Sequence, residues 1–249
     1  MEVFASPRIA AWYLDQALDP AERRLLADWE GDYAGKRVLD LGVGTGRTTA
    51  MLAPYASDYL GIDISEAMLA RARANFPGVD LRLMDIRDIG ALPRGGRDYV
   101  LASYAVLDVF DHDERVAVIE AARDVLRAGG LFVFSFHNLR WRLAGKPPQF
   151  PFSANPVRWA RDLRQYAIGR RNYAARAALE RRGDAHAMLR DMAHQWRGVF
   201  HYHTPQAQIA EVERLGFEVT AMIGADGRDM ARDEPGLDDP MPHLRCRKR

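Results

Sequence analysis

Residues 37 to 46 read Arg-Val-Leu-Asp-Leu-Gly-Val-Gly-Thr-Gly, a short apolar strand that runs straight into glycines at every second position. Glycines spaced this way suit neither a sheet interior nor a helix interior, because each lacks the side chain that would pack there. They imply a sharp turn from a buried strand end into a helix over about Arg47 to Ala53, where bare backbone admits a ligand and free N–H groups face it. The same rhythm continues downstream. Asp58 to Asp63 forms a second strand, and Ser65 caps a helix through Glu66, Met68 and Leu69 that Pro77-Gly78 stops. Val79 to Met84 is a third strand and Asp98 to Tyr104 a fourth. Asp113 to Arg127 is an amphipathic helix ended by Gly129-Gly130, and Leu131 to Phe136 is a fifth strand. Alternation of this kind predicts an α/β chain whose mostly parallel sheet carries helices on both faces.

An amphipathic helix at Pro20 to Glu30, with Leu25, Leu26 and Trp29 inward, precedes this core. Between Asn138 and Thr204 the rhythm breaks, and the spacing there predicts two helices, Pro156 to Arg182 and Asp184 to Val199, the latter with Met188, Leu189, Met192 and Trp196 on one face. Thr204-Pro205 then opens a helix to Leu215, Gly216 ends it, Phe217 to Ile223 is a sixth strand, and His243 to Lys248 is read as a seventh. The expected organisation is a core of residues 1–137 and 204–249 with a helical insertion, 138–203, covering the substrate.

With 48 % hydrophobic and 28 % charged residues, the 249-residue chain has the makings of a sizeable core and shows neither repeats nor low-complexity runs. The net charge of +1 gives the whole chain no bias toward nucleic acid or anionic membrane. One cysteine, Cys246, excludes an internal disulfide, a cysteine-based zinc cluster and a CxxC pair, which fits a reducing cytoplasm. No basic segment followed by a long apolar run marks an export signal or a membrane span, so a cytoplasmic protein is expected.

Asp63, at the end of the second strand, stands where an acidic side chain meets ribose hydroxyls in nucleotide-binding folds. Together, Val38-Leu-Asp-Leu-Gly-Val-Gly-Thr-Gly46, Gly61-Ile-Asp-Ile-Ser65 with Met68-Leu69, Met84-Asp85-Ile86 and Leu126-Arg-Ala-Gly-Gly-Leu131 resemble the class I S-adenosylmethionine-dependent methyltransferases. The likeness covers residues 36–137 and resumes from 204 to 249. It implies a Rossmann-like, seven-stranded, mostly parallel sheet and S-adenosyl-L-methionine as cofactor. By this resemblance Asp40, Gly42, Gly44 and Gly46 face the methionine part of the cofactor, Asp63 its ribose, Ile64 and Met68 one face of the adenine, and Asp85 with Ile86 the adenine amino edge; Tyr104 lies beside cofactor and substrate. An NAD-dependent dehydrogenase shares the first strand, the glycines and the acid, but the GxGxG spacing and the Gly216-Phe217-Glu-Val219 ending suit it less well.

The acceptor is constrained mainly by exclusion. The fourth strand ends Ser103-Tyr-Ala-Val-Leu-Asp108, without the Asn/Asp/Ser-Pro-Pro-aromatic tetrapeptide of methyltransferases that act on adenine amino groups. Covalent methylation of pyrimidine carbon requires a cysteine nucleophile, and Cys246 lies at the far end of the chain. His137 and Asn138, at the end of the fifth strand, are candidates for a base or an orienting group, with Asp191 and His194, three apart on an expected helix face, as a second pair. Tyr13 (with Trp12 before it), Tyr104, Trp141, Trp196 and Tyr202 are candidate substrate-facing aromatics. His201-x-His203 has no acid beside it, and no metal ligand is assigned. Residues 140–204 hold 13 Lys+Arg against 4 acids, a local charge of +9 against −8 elsewhere. A basic cover suggests an anionic or glycosyl acceptor, small or carrier-linked, methylated at a hydroxyl oxygen. An RNA acceptor and a non-catalytic cofactor-binding protein are the alternatives; the near-neutral chain and the intact Asp40, Asp63 and Asp85 weigh against them.

Overall fold

The structure, a computed structural model, describes residues 18–249 apart from the side chain of His194; Trp12 and Tyr13 lie outside the described residues. Its chain order is α1 (Pro20–Ala27), β1 (Arg37–Leu41), α2 (Thr49–Leu52), β2 (Asp58–Asp63), α3 (Glu66–Asn75), β3 (Asp80–Leu83), β4 (Arg97–Ala102), α4 (His112–Val125), β5 (Leu126–Ser135), β6 (His137–Asn138), α5 (Pro156–Ala175), β7 (His186–Arg190), β8 (Val199–His203), α6 (Pro205–Arg214), β9 (Phe217–Ile223) and β10 (His243–Lys248). Seven strands form one sheet in the order β3-β2-β1-β4-β5-β10-β9. The neighbours from β3 to β5 pair in parallel, whereas β10 runs antiparallel to both β5 and β9. Among the described residues no helix is long and apolar enough to cross a membrane.

Alternation along the central strands divides the core between the two faces of the sheet. Leu39, Val100, Phe132 and Phe134 pack with Val118, Ile119 and Ala122 of α4 and Val212 of α6. Val38, Tyr99, Leu101 and Val133 face the opposite way, onto Leu25 and Leu26 of α1, Leu52 of α2 and Leu69 of α3. Strands buried on both faces have little polar side to display, hence their largely apolar sequence. The expected start signals operate: Ser65 Oγ accepts the Met68 N–H, and Thr204 Oγ1 that of Ala207 with Pro205 in the first turn.

Two expectations are corrected. Gly129-Gly130 does not cap a helix: α4 ends at Val125 and β5 begins at once, its pairing with β4 jumping from Arg97↔Leu126 to Tyr99↔Leu131. The intervening residues bulge out around Gly129, whose φ of +72° suits glycine. In the insertion, α5 exists, but the second expected helix is replaced by β7 and β8, antiparallel to each other, with β8 parallel to β6 in a separate three-stranded sheet. Val199-Phe-His-Tyr-His203 is rich in β-branched and aromatic residues, and Ala187 and Leu189 are buried at a period of two. Met192 and Trp196 fall in the connection between these strands, so their helical spacing is incidental.

Candidate active site

The C-terminal ends of β1, β2, β4 and β5 border a cleft. Parallel strands in an open α/β sheet direct their ligands to this edge. Asp40, Gly42, Gly44, Asp63, Ile64, Met68, Asp85, Ile86, Tyr104 and His137 line it together, whereas Gly46 does not. A Cβ on Gly46 would come within 2.4 Å of the Phe76 ring, so this glycine serves the packing of the turn against α3. Gly44 differs: with φ +56°, its added Cβ would meet only Met68 Sδ, at 3.6 Å, leaving the backbone bare on the cleft side.

Each carboxylate there is held by donors. Asp63 Oδ2 accepts the Gly44 N–H at 2.9 Å and Oδ1 that of Ser65 at 2.7 Å, and further lone pairs remain for ligand hydroxyls. Burial raises its pKa despite these bonds. Asp40 Oδ2 accepts the hydroxyls of Thr48 (2.6 Å) and Tyr59 (2.8 Å), and burial pushes its pKa up to about 6. Asp85 caps the turn Ile86–Ala91 and is ion-paired to Arg87, which lowers its pKa. Ile64 stays 45 % exposed beside buried Met68, an apolar shelf on the cleft floor. Paired acceptors next to bare glycine backbone and an apolar shelf fit the ribose, the adenine and the amino-acid part of S-adenosylmethionine.

Several site residues were not singled out in the sequence. Glu22, from α1, is buried, receives both terminal nitrogens of Arg47 at 2.6 Å and the Ser103 hydroxyl at 2.6 Å, and so ties α1 to the cleft wall. The Arg47 guanidinium lies 4.5 Å from the centroid of the Tyr104 ring. Tyr104 and Ala105 both have positive φ, +56° and +53°, a strained exit from β4 of the kind found at binding sites. Asp108 was visible as an acid in the apolar run from Tyr99 to Phe110. Its Oδ2 accepts the His137 backbone N–H at 2.6 Å and lies 2.9 Å from His137 Nδ1.

The remaining candidates lie elsewhere. Asn138 is fully buried and its amide donates to the carbonyls of Pro235, Gly236 and Asp239, so it anchors the loop before β10 rather than facing the cleft. Asp191 ends β7, not a helix; it accepts the Tyr202 hydroxyl and the Ala193 N–H, and the supposed helix face shared with His194 does not exist. Tyr202 is buried and stacks on His137, ring centroids 4.9 Å apart, from behind the cleft. Trp196 covers Gly169 of α5 and donates to the Lys146 carbonyl, while Trp141 lies at the turn after β6; neither lines the cleft. The insertion reaches the cleft through Ala193 and Phe200, and none of its thirteen cations lines it, which removes the reason for expecting an anionic acceptor. Cys246 is buried in β10.

The sheet order and the strand-end cleft define a Rossmann-like protein with a nucleotide-cofactor site. Residues 38–130 match the family model of the methyltransferase domain. Over 105 residues the chain is 34 % identical to a Mycolicibacterium smegmatis protein named for S-adenosylmethionine-dependent methyl transfer, a match spanning 42 % of this chain and 39 % of that one. It is 27 % identical over 127 residues to the ubiquinone biosynthesis O-methyltransferase of Acinetobacter baumannii, covering 49 % of this chain and 52 % of the relative. The match thus spans about half or less of these relatives' length. The crystal structure of an S-adenosylmethionine-dependent methyltransferase from Mesorhizobium loti shares the fold, with a TM-score of 0.62, 22 % identity, and coverage of 92 % of this chain and 98 % of that one. Residues 38–130 of the chain thus resemble a methyltransferase domain, and the chain as a whole shares the fold of solved S-adenosylmethionine-dependent methyltransferases.

Proposed function

We propose that this protein methylates a hydroxyl oxygen of a small, largely apolar molecule, with His137 as the general base. The observation that carries the reading is the His137–Asp108 pair at the cleft wall. A carboxylate on Nδ1 selects the tautomer with the proton there, leaving the Nε2 lone pair to take a hydroxyl proton as the oxygen becomes nucleophilic. Asp108 then stabilises the imidazolium. When bound, S-adenosylmethionine supplies an electrophilic methyl group on a sulfonium. Asp63 and the Gly44 turn hold the donor's position, and the gain is proximity and alignment. Val106, Val109, Phe110 and Phe200 supply apolar walls that exclude water around the acceptor. The O-methyltransferase name of the Acinetobacter relative agrees with an oxygen acceptor. Two measurements test this. Calorimetry with S-adenosylmethionine and S-adenosylhomocysteine should show binding of both, with NAD as the negative control. A labelled-methyl screen over phenols, hydroxy acids and hydroxylated rings should then find an acceptor whose turnover requires His137; cofactor binding with transfer only to nitrogen acceptors refutes the hydroxyl reading.

A further inference from the structure

Strand β8 presents two chemically different faces. Phe200 and Tyr202 turn toward His137, while His201 and His203, one position out of phase, turn the other way. The β7–β8 register sets His186 opposite His203. Against this face comes His112, the first residue of α4, its ring stacked on His186 with centroids 3.9 Å apart and 5.6 Å from His201. Glu211 of α6 completes the group: its Oε2 lies 3.6 Å from His112 Nε2 and 3.5 Å from His203 Nε2. His201 is 0 % exposed, yet neither of its ring nitrogens makes a hydrogen bond. Buried imidazoles left without partners are costly and call for a ligand.

We propose that His112, His186, His201, His203 and Glu211 surround a second site, separate from the cleft, where up to four of them bind one divalent transition-metal ion, with zinc the ion these donors suit best. Imidazole nitrogen with a carboxylate oxygen is a zinc donor set, tetrahedral at bond lengths of about 2.0 to 2.2 Å. Within His112/His186/His201, and again within His112/His203/Glu211, donor atoms lie within 4.8 Å of one another. Tetrahedral binding needs them about 3.4 Å apart, so the side chains close in by about an ångström. Among the described residues, fully buried Arg115 is the opposing charge in contact with the group, and it is already engaged by Asp108 and Glu211.

The ion clamps β7 and β8 of the insertion to α4 and α6 of the core. It also lies at one end of a chain, Glu211–Arg115–Asp108–His137, whose other end is the cleft. Its ligands are therefore positioning residues. The test uses the tag-free full chain, stripped with chelator, then titrated with Zn²⁺ by calorimetry and with Co²⁺ by visible absorption. One ion per chain is expected, at submicromolar Zn²⁺ affinity, with a tetrahedral Co²⁺ spectrum and a Tm raised by several degrees. His112→Ala and His186→Ala, at the half-buried side of the group, should each weaken Zn²⁺ binding by about 100-fold or more with an unchanged circular dichroism spectrum. A folded chain that takes up neither ion, or a His112→Ala/His186→Ala double variant that binds as the parent does, overturns the site. Neither cofactor nor acceptor enters these measurements, so their failure leaves the methyl-transfer reading untouched.

Discussion

His137 and Asp108 are joined twice: one carboxylate oxygen accepts both the backbone N–H of His137, at 2.6 Å, and its ring Nδ1, at 2.9 Å. The imidazole is thereby fixed in position and tautomer before any ligand arrives. Burial would depress its pKa, but the Asp108 hydrogen bond and charge outweigh burial, and the pKa stands above the ordinary histidine value. As a base it works only when neutral, so kcat/KM should rise with pH along a limb centred above about 6.5.

Removing His137 tests the same relationship directly. His137→Ala should lower kcat about 100-fold or more while cofactor affinity holds, and should abolish that limb. Asp108→Asn should move the limb to lower pH. Because Asp108 also partners buried Arg115 at 3.2 Å, the variant should lose about 3 kcal/mol of stability by urea unfolding. A pH profile identical to the parent's in both variants would return His137 to a structural role.

Asp63 holds the glycine turn and presents its remaining lone pairs to the cleft. Asp63→Ala should weaken S-adenosylhomocysteine binding by about 1.5 to 3 kcal/mol, roughly ten- to a hundredfold. Calorimetry reads this directly, and an unaltered Kd removes Asp63 from the cofactor site.

Asp40 makes stability depend on pH. Its folded pKa is about 6, raised by burial from an ordinary 3.8. The native state therefore holds a proton that the unfolded chain has released, and the favourable contribution present below pH 4 is lost as pH rises through 6. Relative to the parent, Asp40→Asn, which mimics the protonated form, should gain up to about 3 kcal/mol between pH 4 and pH 7.5. Parallel stability curves for the two chains over that range would disprove the shift.

The two glycines of the turn should fail differently. Gly46→Ala places a methyl 2.4 Å from the Phe76 ring at φ +94° and should cost about 3 kcal/mol in folding. Gly44→Ala meets only Met68 Sδ, so it should cost about 1 kcal/mol of stability while impairing cofactor binding the more. Thermal melts alongside cofactor titrations separate the two effects; equal melting losses would contradict this division.

The sequence by itself determined the seven-stranded sheet and which strand-end residues border the cleft. Those signals are local: Val38 to Gly44 is strand, turn and cleft-lining backbone in one stretch, Ser65 caps the helix that bears Met68, and Phe217 to Ile223 alternates as a strand must. What only the tertiary structure decided depends on residues far apart in the chain. Glu22 gains meaning only when α1 packs against Arg47 and Ser103, and Asp108 only when β5 delivers His137 to it. The β7–β8 pair misread as a helix because Met188, Leu189, Met192 and Trp196 match a 3.6-residue period by coincidence, whereas strand pairing is a relation between segments that no single window displays. For the same reason His201-x-His203 looked bare of partners: His112, His186 and Glu211 come from three other elements, and folding brings them to the back of β8.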